Sequence, residues 1–495
     1  MRIPHIISKD THIAYQCSPQ SLDLVGEDQR KLLAEDIEWD KDHCPTLVDY
    51  SVQAISEYFE RNPLLNDLPG QDRDYLLEIV STDLPLELVI PLIEDEYYWQ
   101  RRYNDKFSTI IIRKPKVWTW KSLYLERHVQ QIIEEAQPQH KDEDTFDEIL
   151  TLCSEYVRRL IVTQLQWWQP PLTMEKDEIP EIYPIAHINF TPIFLKLPLI
   201  EEFRLTYGMN NVGMDFDWNM FKLSVEDCQR LGIALLSLPN LTILRINRTV
   251  LEYKNCQALM QGLIFNQTLT ELDLSNCQID DEGALCVAKL LGSHPTLKIL
   301  NLSNNCIKQL GAEGIGFTLL QESCAQLDVL NLRLNPLGNE GTLGIMRALV
   351  RCDIPKEVSM SGVLFDDDTP MKVGKMIKIN KGLKKLDLSN NWFGEDGGTD
   401  LVEAMEINTT LEWLDVRDTD ITPYQAHKIK KFLIRNRKGV IVMDEEVEEE
   451  AECEDDEERV IKETVYQDEV AHEESENAEG PPQPPPSQTS TSPGQ

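Results

Sequence analysis

The chain has 495 residues, enough for two or three domains, and 41% of them are hydrophobic, as in a globular protein with appended polar segments. Its formal net charge of −37 excludes a phosphate-backbone binder, which needs clustered Lys and Arg, and disfavours an anionic membrane surface for the same reason. Eleven cysteines with no C-x-x-C spacing exclude a zinc ribbon and read as free thiols in a reducing, cytoplasmic compartment.

Residues 1–20 show no periodicity and read as a flexible N-terminus. Met1–Asp10 lacks a basic stretch followed by a long apolar core, so no secretory signal is expected. Across 21–170 the pattern turns helical. Cys44–Tyr58 sets Leu47, Val48, Ser51, Ile55 and Tyr58/Phe59 on one stripe, ended by Asn62-Pro63. Leu84-Pro85-Leu86 opens a second element, and Glu94–Trp99 follows it. Phe107–Arg113 fits helix or strand, whereas Leu123–Ala136 and Phe146–Leu165 predict helices. The expectation is a mostly α-helical domain over 21–170, then a Pro-containing linker over 171–198. Ile188–Leu205 is too interrupted, by Pro192, Lys196, Pro198, Glu201 and Glu202, to span a membrane.

Residues 199–443 read as about eight repeats. Ile200-Glu-Glu-Phe203-Arg-Leu205 is a first strand line, with an insertion around Gly213–Asn219, and Ser224-Val-Glu-Asp227 is a capping box opening a helix through Leu236. Seven lines then begin at Leu241, Leu269, Leu297, Leu327, Pro355, Leu383 and Leu411, spaced by 28, 28, 30, 28, 28 and 28 residues. Leu269-Thr-Glu-Leu272-Asp-Leu274-Ser-Asn-Cys277-Gln-Ile279 shows the wording L-x-x-L-x-L-x-x-N/C-x-L, the leucine-rich repeat in a long-period form. Leu-x-Leu alternates with period two and predicts a short strand with its leucines inward. The Asn or Cys slot (Cys277, Asn305, Asn335, Asn391) closes the turn, where a buried side chain satisfies backbone groups leaving the sheet. Gly-bearing turns lead into helical stretches such as Ala284–Leu291. The line at Pro355 is worn and has lost its Asn. The predicted class is α/β: a ribonuclease-inhibitor-like solenoid, its curved parallel sheet lined outside by helices.

Ala426–Arg437 predicts a basic helix, and Val440–Met443 a terminal edge strand. Asp444–Glu479 holds 19 acidic and two basic residues before a Pro/Ser-rich end, so 444–495 is expected to be a disordered acidic tail that discourages edge pairing. Cys277 and Cys286 fall in interior slots, with Cys306 close to one.

No constellation for catalysis, cofactor or metal stands out. Gly311-Ala-Glu-Gly314-Ile-Gly316 echoes a dinucleotide loop but lies in a turn-to-helix segment without the βαβ context. Glu126-Arg127-His128 reads as an ion-paired helix face, Trp118, Trp120, Trp167 and Trp168 as packing, and Asp366-Asp-Asp368 as a turn. The expectation is no enzyme and no small-molecule substrate, and what remains is surface. The third, fifth, seventh and eighth residues of each line should face the concave side. Candidates for protein binding are Ile243, Arg245 and Arg248 in the first regular line, Val329 and Arg333 in the fourth, and Trp413, Asp415 and Arg417 in the last, a mixture that interfaces favour.

The N-terminal words carry a more specific signal. Glu35-Asp36-Ile-Glu38-Trp39, Asn62-Pro63-Leu64-Leu65, Leu84-Pro85-Leu86, Asp95-Glu96-Tyr97-Tyr98-Trp99, Glu126-Arg127-His128 and Tyr156-Val157-Arg158-Arg159 occur in this order, then Tyr207-Gly208 and Gly213-Met-Asp-Phe-Asp-Trp218-Asn219. This set resembles the T-complex-associated testis-expressed protein 1 family, also called dynein regulatory complex subunit 5, from about residue 30 to 435. The resemblance implies a non-catalytic subunit of the nexin–dynein regulatory complex in the axoneme of motile cilia and sperm flagella. Partners would be other subunits of that complex, dynein arms or doublet microtubule proteins, with no nucleic acid and no membrane. The alternative of another class is a GTPase-activating protein for Ran, which also pairs long-period repeats with an acidic run. An inhibitor of ribonuclease type would want more repeats and more cysteines.

Overall fold

The computed structural model describes residues 46–107, 119–136, 143–166, 187–208, 221–321, 327–366 and 369–439. Outside them lie the expected flexible N-terminus, most of the linker, the Gly213–Asn219 insertion, Trp118, Trp167, Trp168, the Val440–Met443 strand and the acidic tail. The chain divides into two compact units, Met1–Tyr124 and Leu125–Gln495.

The first unit is helical where described: α1 (Leu47–Glu57), α2 (Gly70–Ile79), α3 (Leu86–Leu92), α4 (Glu96–Lys106) and the start of α5 (Trp120–Glu135). Its core is built from the words that carry the resemblance. Asp95 caps α4 by accepting the Tyr98 N–H at 2.8 Å, which points Tyr98 and Trp99 inward, both 0% exposed. Their polar ends are satisfied: Tyr98 donates to the Ser81 carbonyl at 3.1 Å and Trp99 Nε1 to that of Ile93 at 2.9 Å. The α1 stripe differs from expectation. Val52 and Phe59 are buried and Ile55 half-buried, whereas Leu47, Val48 and Tyr58 are exposed. The helix is rotated so that the i, i+3, i+7 set packs.

The second unit continues α5, adds α6 (Glu143–Cys153), and then lays down a parallel sheet. Its strands run in sequence order: β1 (Arg159–Val162), β2 (Glu202–Leu205), β3 (Ile243–Ile246), β4 (Glu271–Asp273), β5 (Ile299–Asn301), β6 (Val329–Asn331), β7 (Glu357–Ser359), β8 (Lys385–Asp387) and β9 (Trp413–Asp415). A helix follows each strand from β2 onward: α8 (Val225–Leu235), α9 (Tyr253–Leu263), α10 (Asp281–Ser293), α11 (Gln309–Leu319), α12 (Gly338–Leu349), α13 (Thr369–Ile379), α14 (Gly394–Ile407) and α15 (Pro423–Lys438). The short α7 (Phe190–Lys196) precedes β2.

Register confirms the repeat reading. Leu244, Leu272, Leu300, Leu330, Val358, Leu386 and Leu414 stand side by side on successive strands, and each is at most 7% exposed. The asparagine slot behaves as its chemistry requires. Asn305 Nδ2 donates to the carbonyls of Leu274 and Leu302, each at 2.9 Å, while its Oδ1 accepts the Cys277 and Ile279 N–H groups at 2.9 and 3.1 Å. Asn335, one repeat on, and Asn391, three repeats on, likewise accept an N–H from the preceding turn and donate to its carbonyl. In the worn repeat Val363 fills the slot and leans on the next one, giving its N–H to Asn391 Oδ1 at 2.9 Å.

One expected element is wrong. The helix read from Phe146 to Leu165 stops at Cys153, and Arg159–Val162 is a strand, so the sheet starts one line earlier than expected and holds nine strands among the described residues. Leu150, Cys153, Val157 and Leu160 keep helical spacing, which extended the apparent stripe. The branched Ile161-Val162-Thr163 run and the burial of Leu160 and Val162 about a half-buried Ile161 are strand behaviour.

Among the described residues β1 is the outer strand, and α5 deals with its unpaired donors. Glu126 Oε1 accepts the N–H groups of Arg158 and Arg159 at 3.2 and 2.9 Å, and Glu134 Oε1 accepts the Thr163 N–H at 2.7 Å and its hydroxyl at 2.9 Å. Burial pushes the Glu126 carboxyl up to about 7 from 4.5, against the opposing pull of the Arg158 and Arg159 N–H groups and the Arg159 guanidinium. Because the folded-state value is the higher one, the contribution of Glu126 to stability is full below pH 4.5 and is lost as pH rises to 7. Glu126→Gln should therefore flatten the stability profile between those limits by about 3 kcal/mol relative to wild type. Urea unfolding free energies that fall by the same amount from pH 5 to pH 8 in wild type and variant would rule this out.

Candidate interaction face

Strand register decides which side chains share the open face of the sheet. Ile243 stands in line with Glu202 and Glu271, Val329 with Ile299 and Glu357, and Trp413 ends that row beside Lys385. All three candidates are half-buried. Two residues along, Arg245 stands in line with Arg204 and Asp273, and Asp415 with Asp387.

The charged candidates divide into two kinds. Arg245 is held by its neighbours: its NH2 lies 2.7 Å from Glu271 Oε1, and its NH1 lies 3.7 Å from a Glu202 carboxylate that also takes Arg204 Nε at 2.5 Å. Arg417 folds onto its own strand, with Nε 3.0 Å from both oxygens of Asp415, which is 7% exposed. Asp415 also accepts the Arg417 backbone N–H at 3.0 Å. A partner carboxylate must displace Asp415 to reach this guanidinium, and displacement strands a buried charge. Arg248 and Arg333 are exposed and have no ion pair among the described residues. The eighth position is a turn rather than a strand residue. Arg248, Asn276, Asn304, Leu334, Asn390 and Asp418 all hold φ between 50° and 58°, where the chain leaves the sheet.

The remaining chemistry is structural. His187 Nδ1 lies 3.2 Å from Asp227 Oδ2, its ring meets Tyr207 edge-on at 5.0 Å, and both His187 and Asp227 are buried. Burial raises the Asp227 carboxyl, but the hydrogen bonds from His187 outweigh it and hold the group below its usual value. The sequence showed Asp227 only as the end of a capping box; His187 lies 40 residues upstream, and nothing local pairs the two. The adjacent Cys228 thiol is pushed up by burial, as are Cys153 and Cys277, both to about 12, so none is a nucleophile. Cys306, expected near the interior, is exposed. Gly316 lies in α11, where an added Cβ would sit 2.7 Å from the Gly344 carbonyl oxygen, so the Gly-rich segment is a helix contact and not a phosphate loop. Asp366 pairs with Asn339 through two hydrogen bonds, of 2.7 and 2.9 Å. Among the described residues no acidic, His or Cys cluster can hold a metal ion, and no helix is long and apolar enough to cross a membrane.

The family described as Leucine Rich repeat matches residues 265–288, 293–316 and 380–402. Dynein regulatory complex subunit 5 of Mus musculus is 30% identical over 281 residues, covering 52% of this chain and 54% of that protein. The subunit of the same name from Chlamydomonas reinhardtii is 29% identical over 237 residues, covering 48% of each. Ribonuclease inhibitor of Mus musculus is 25% identical over 226 residues, covering 40% of this chain and 50% of that protein. The chain spans about half the length of the curated relatives it matches. With its strands stacked in register and its asparagines laddered from turn to turn, the chain carries leucine-rich repeats and is similar over about half its length to subunit 5 of the dynein regulatory complex.

Proposed function

We propose that this chain is a non-catalytic structural subunit of the nexin–dynein regulatory complex, working in the axoneme of cilia and sperm flagella. The similarity to proteins named for that complex carries the reading. The mechanism is scaffolding: a stiff repeat stack holds neighbouring subunits in register, so that bending strain reaches the dynein arms. Its contact face includes the half-buried Ile243, Val329 and Trp413, in one row with Glu202, Glu271, Glu357 and Lys385, and the exposed Arg248 and Arg333 beside it. Arg245, Asp415 and Arg417 shape that face through pairs already made within the chain.

Tagged chain in flagellated cells should sit in the axoneme and co-purify with regulatory-complex subunits. Trp413→Ala should release at least one of them without unfolding the chain. Tagged chain that stays soluble throughout the cytosol would overturn the reading, and stimulated GTP hydrolysis by purified Ran would then be the next measurement. A Trp413→Ala chain that keeps every neighbour would remove the face but not the complex.

A further inference from the structure

The turns that leave the sheet expose large apolar side chains in three successive repeats. Across the seven lines the eighth residue is Asn in three (Asn276, Asn304, Asn390), which tolerates positive φ, and the tenth is polar in two (Gln278, Asp420). In the repeats at Leu327, Pro355 and Leu383 these slots hold Leu334, Leu364 and Trp392, which are 45%, 69% and 51% exposed. Leu334 and Leu364 have φ of 55° and 63°, a conformation in which a leucine is strained. Gly362 makes room for the first of them: an added Cβ there would lie 2.9 Å from Leu334 Cδ2.

The rim is built rather than frayed. Leu334 N–H donates to the Ser361 carbonyl at 2.8 Å, Gly362 to Ser389 at 2.9 Å, Asn390 to Arg417 at 3.0 Å and Phe393 to Thr419 at 3.0 Å. Each turn is thus tied to the next. Exposed carboxylates follow closely in sequence or lie in the next turn: Asp366, Glu395, Asp396, Asp418 and Asp420, none with a cationic partner among the described residues, against the exposed Arg333 beside Leu334.

We propose that the rim formed by Leu334, Leu364 and Trp392 is a docking surface for an amphipathic helix of a partner protein, whose apolar stripe is flanked by lysine or arginine. It holds whichever complex the chain serves. Charge selects this occupant over the chain's own ends. Residues 1–45 carry nine acidic and five basic residues, and Asp444–Glu479 carries 19 and two, so both are repelled by the rim. A second copy is a poor fit as well. The basic helix α15 already buries Ile429, Leu433 and Ile434 within its own chain.

The test uses the full chain and two synthetic helical peptides with leucine at i, i+3, i+4 and i+7, one carrying lysine beside the stripe and one glutamate. The lysine peptide should bind, more weakly as salt rises, and the glutamate peptide should not. The Leu334→Asn, Leu364→Asn double variant leaves every carboxylate in place, so it should lose at least tenfold in affinity while melting no lower than wild type. Equal binding by wild type and variant would mean attraction to bulk charge, and would overturn the proposal. So would a photo-crosslinker at position 364 that, in flagellated cells, joins only to this chain's own termini or to a second copy.

Discussion

Asn305→Ala should destabilise the chain by roughly 3–5 kcal/mol, as much as losing a core leucine. The side chain is 5% exposed, joins the preceding repeat through three hydrogen bonds and bonds the Leu302 carbonyl of its own. Its removal leaves the N–H groups of Cys277 and Ile279 without acceptors and takes the amide donor from the Leu274 carbonyl. The Leu302 carbonyl keeps a donor, Asn335 Nδ2 at 2.8 Å, so the loss falls on the preceding turn. Amide hydrogen exchange should accelerate at Cys277 and Ile279 before it changes in β6. A loss below about 1 kcal/mol in chemical denaturation would mean that water replaces the amide, and that the ladder is dispensable.

Leu300→Ala should cost a similar 2–5 kcal/mol, by the different route of an emptied volume. Leu300 is 0% exposed, between Leu272 and Leu330 in register. In a solenoid each repeat contacts only its neighbours, so a cavity at the centre weakens two interfaces at once. The melting transition should broaden or split as the halves uncouple. A sharp single transition at the wild-type temperature would show that the neighbouring helices close over the gap.

The repeats were legible because leucine spacing is imposed by stacking, and stacking narrows each slot to a few residue types. Leu272 and Leu300 could be placed from the sequence alone, as could the role of Asn305. β1 was not legible: its residues keep a helical stripe with α6, and only the pairing of Arg159–Val162 with Glu202–Leu205 reveals a strand. The interaction candidates were read by position alone. Position placed Ile243, Val329 and Trp413 on the face. It could not show that Arg417 spends its charge on Asp415 two residues back, or that Arg245 is clasped by strands on both sides. The exposed Leu334 and Leu364 fit the repeat by hydrophobicity, and their strain shows only in backbone dihedrals.

A stack of parallel strands has no intrinsic length, and nothing in its geometry forbids one molecule from continuing the next. Such polymer growth needs a donor end and an acceptor end on every copy. Where the next strand's carbonyls would dock on β1, the carboxylates of Glu126 and Glu134 already occupy the donors of Arg159 and Thr163. An incoming strand would have to displace both side chains from the N–H groups they cap. The same two glutamates that finish the fold thus make this edge, among the described residues, a poorer template for another strand.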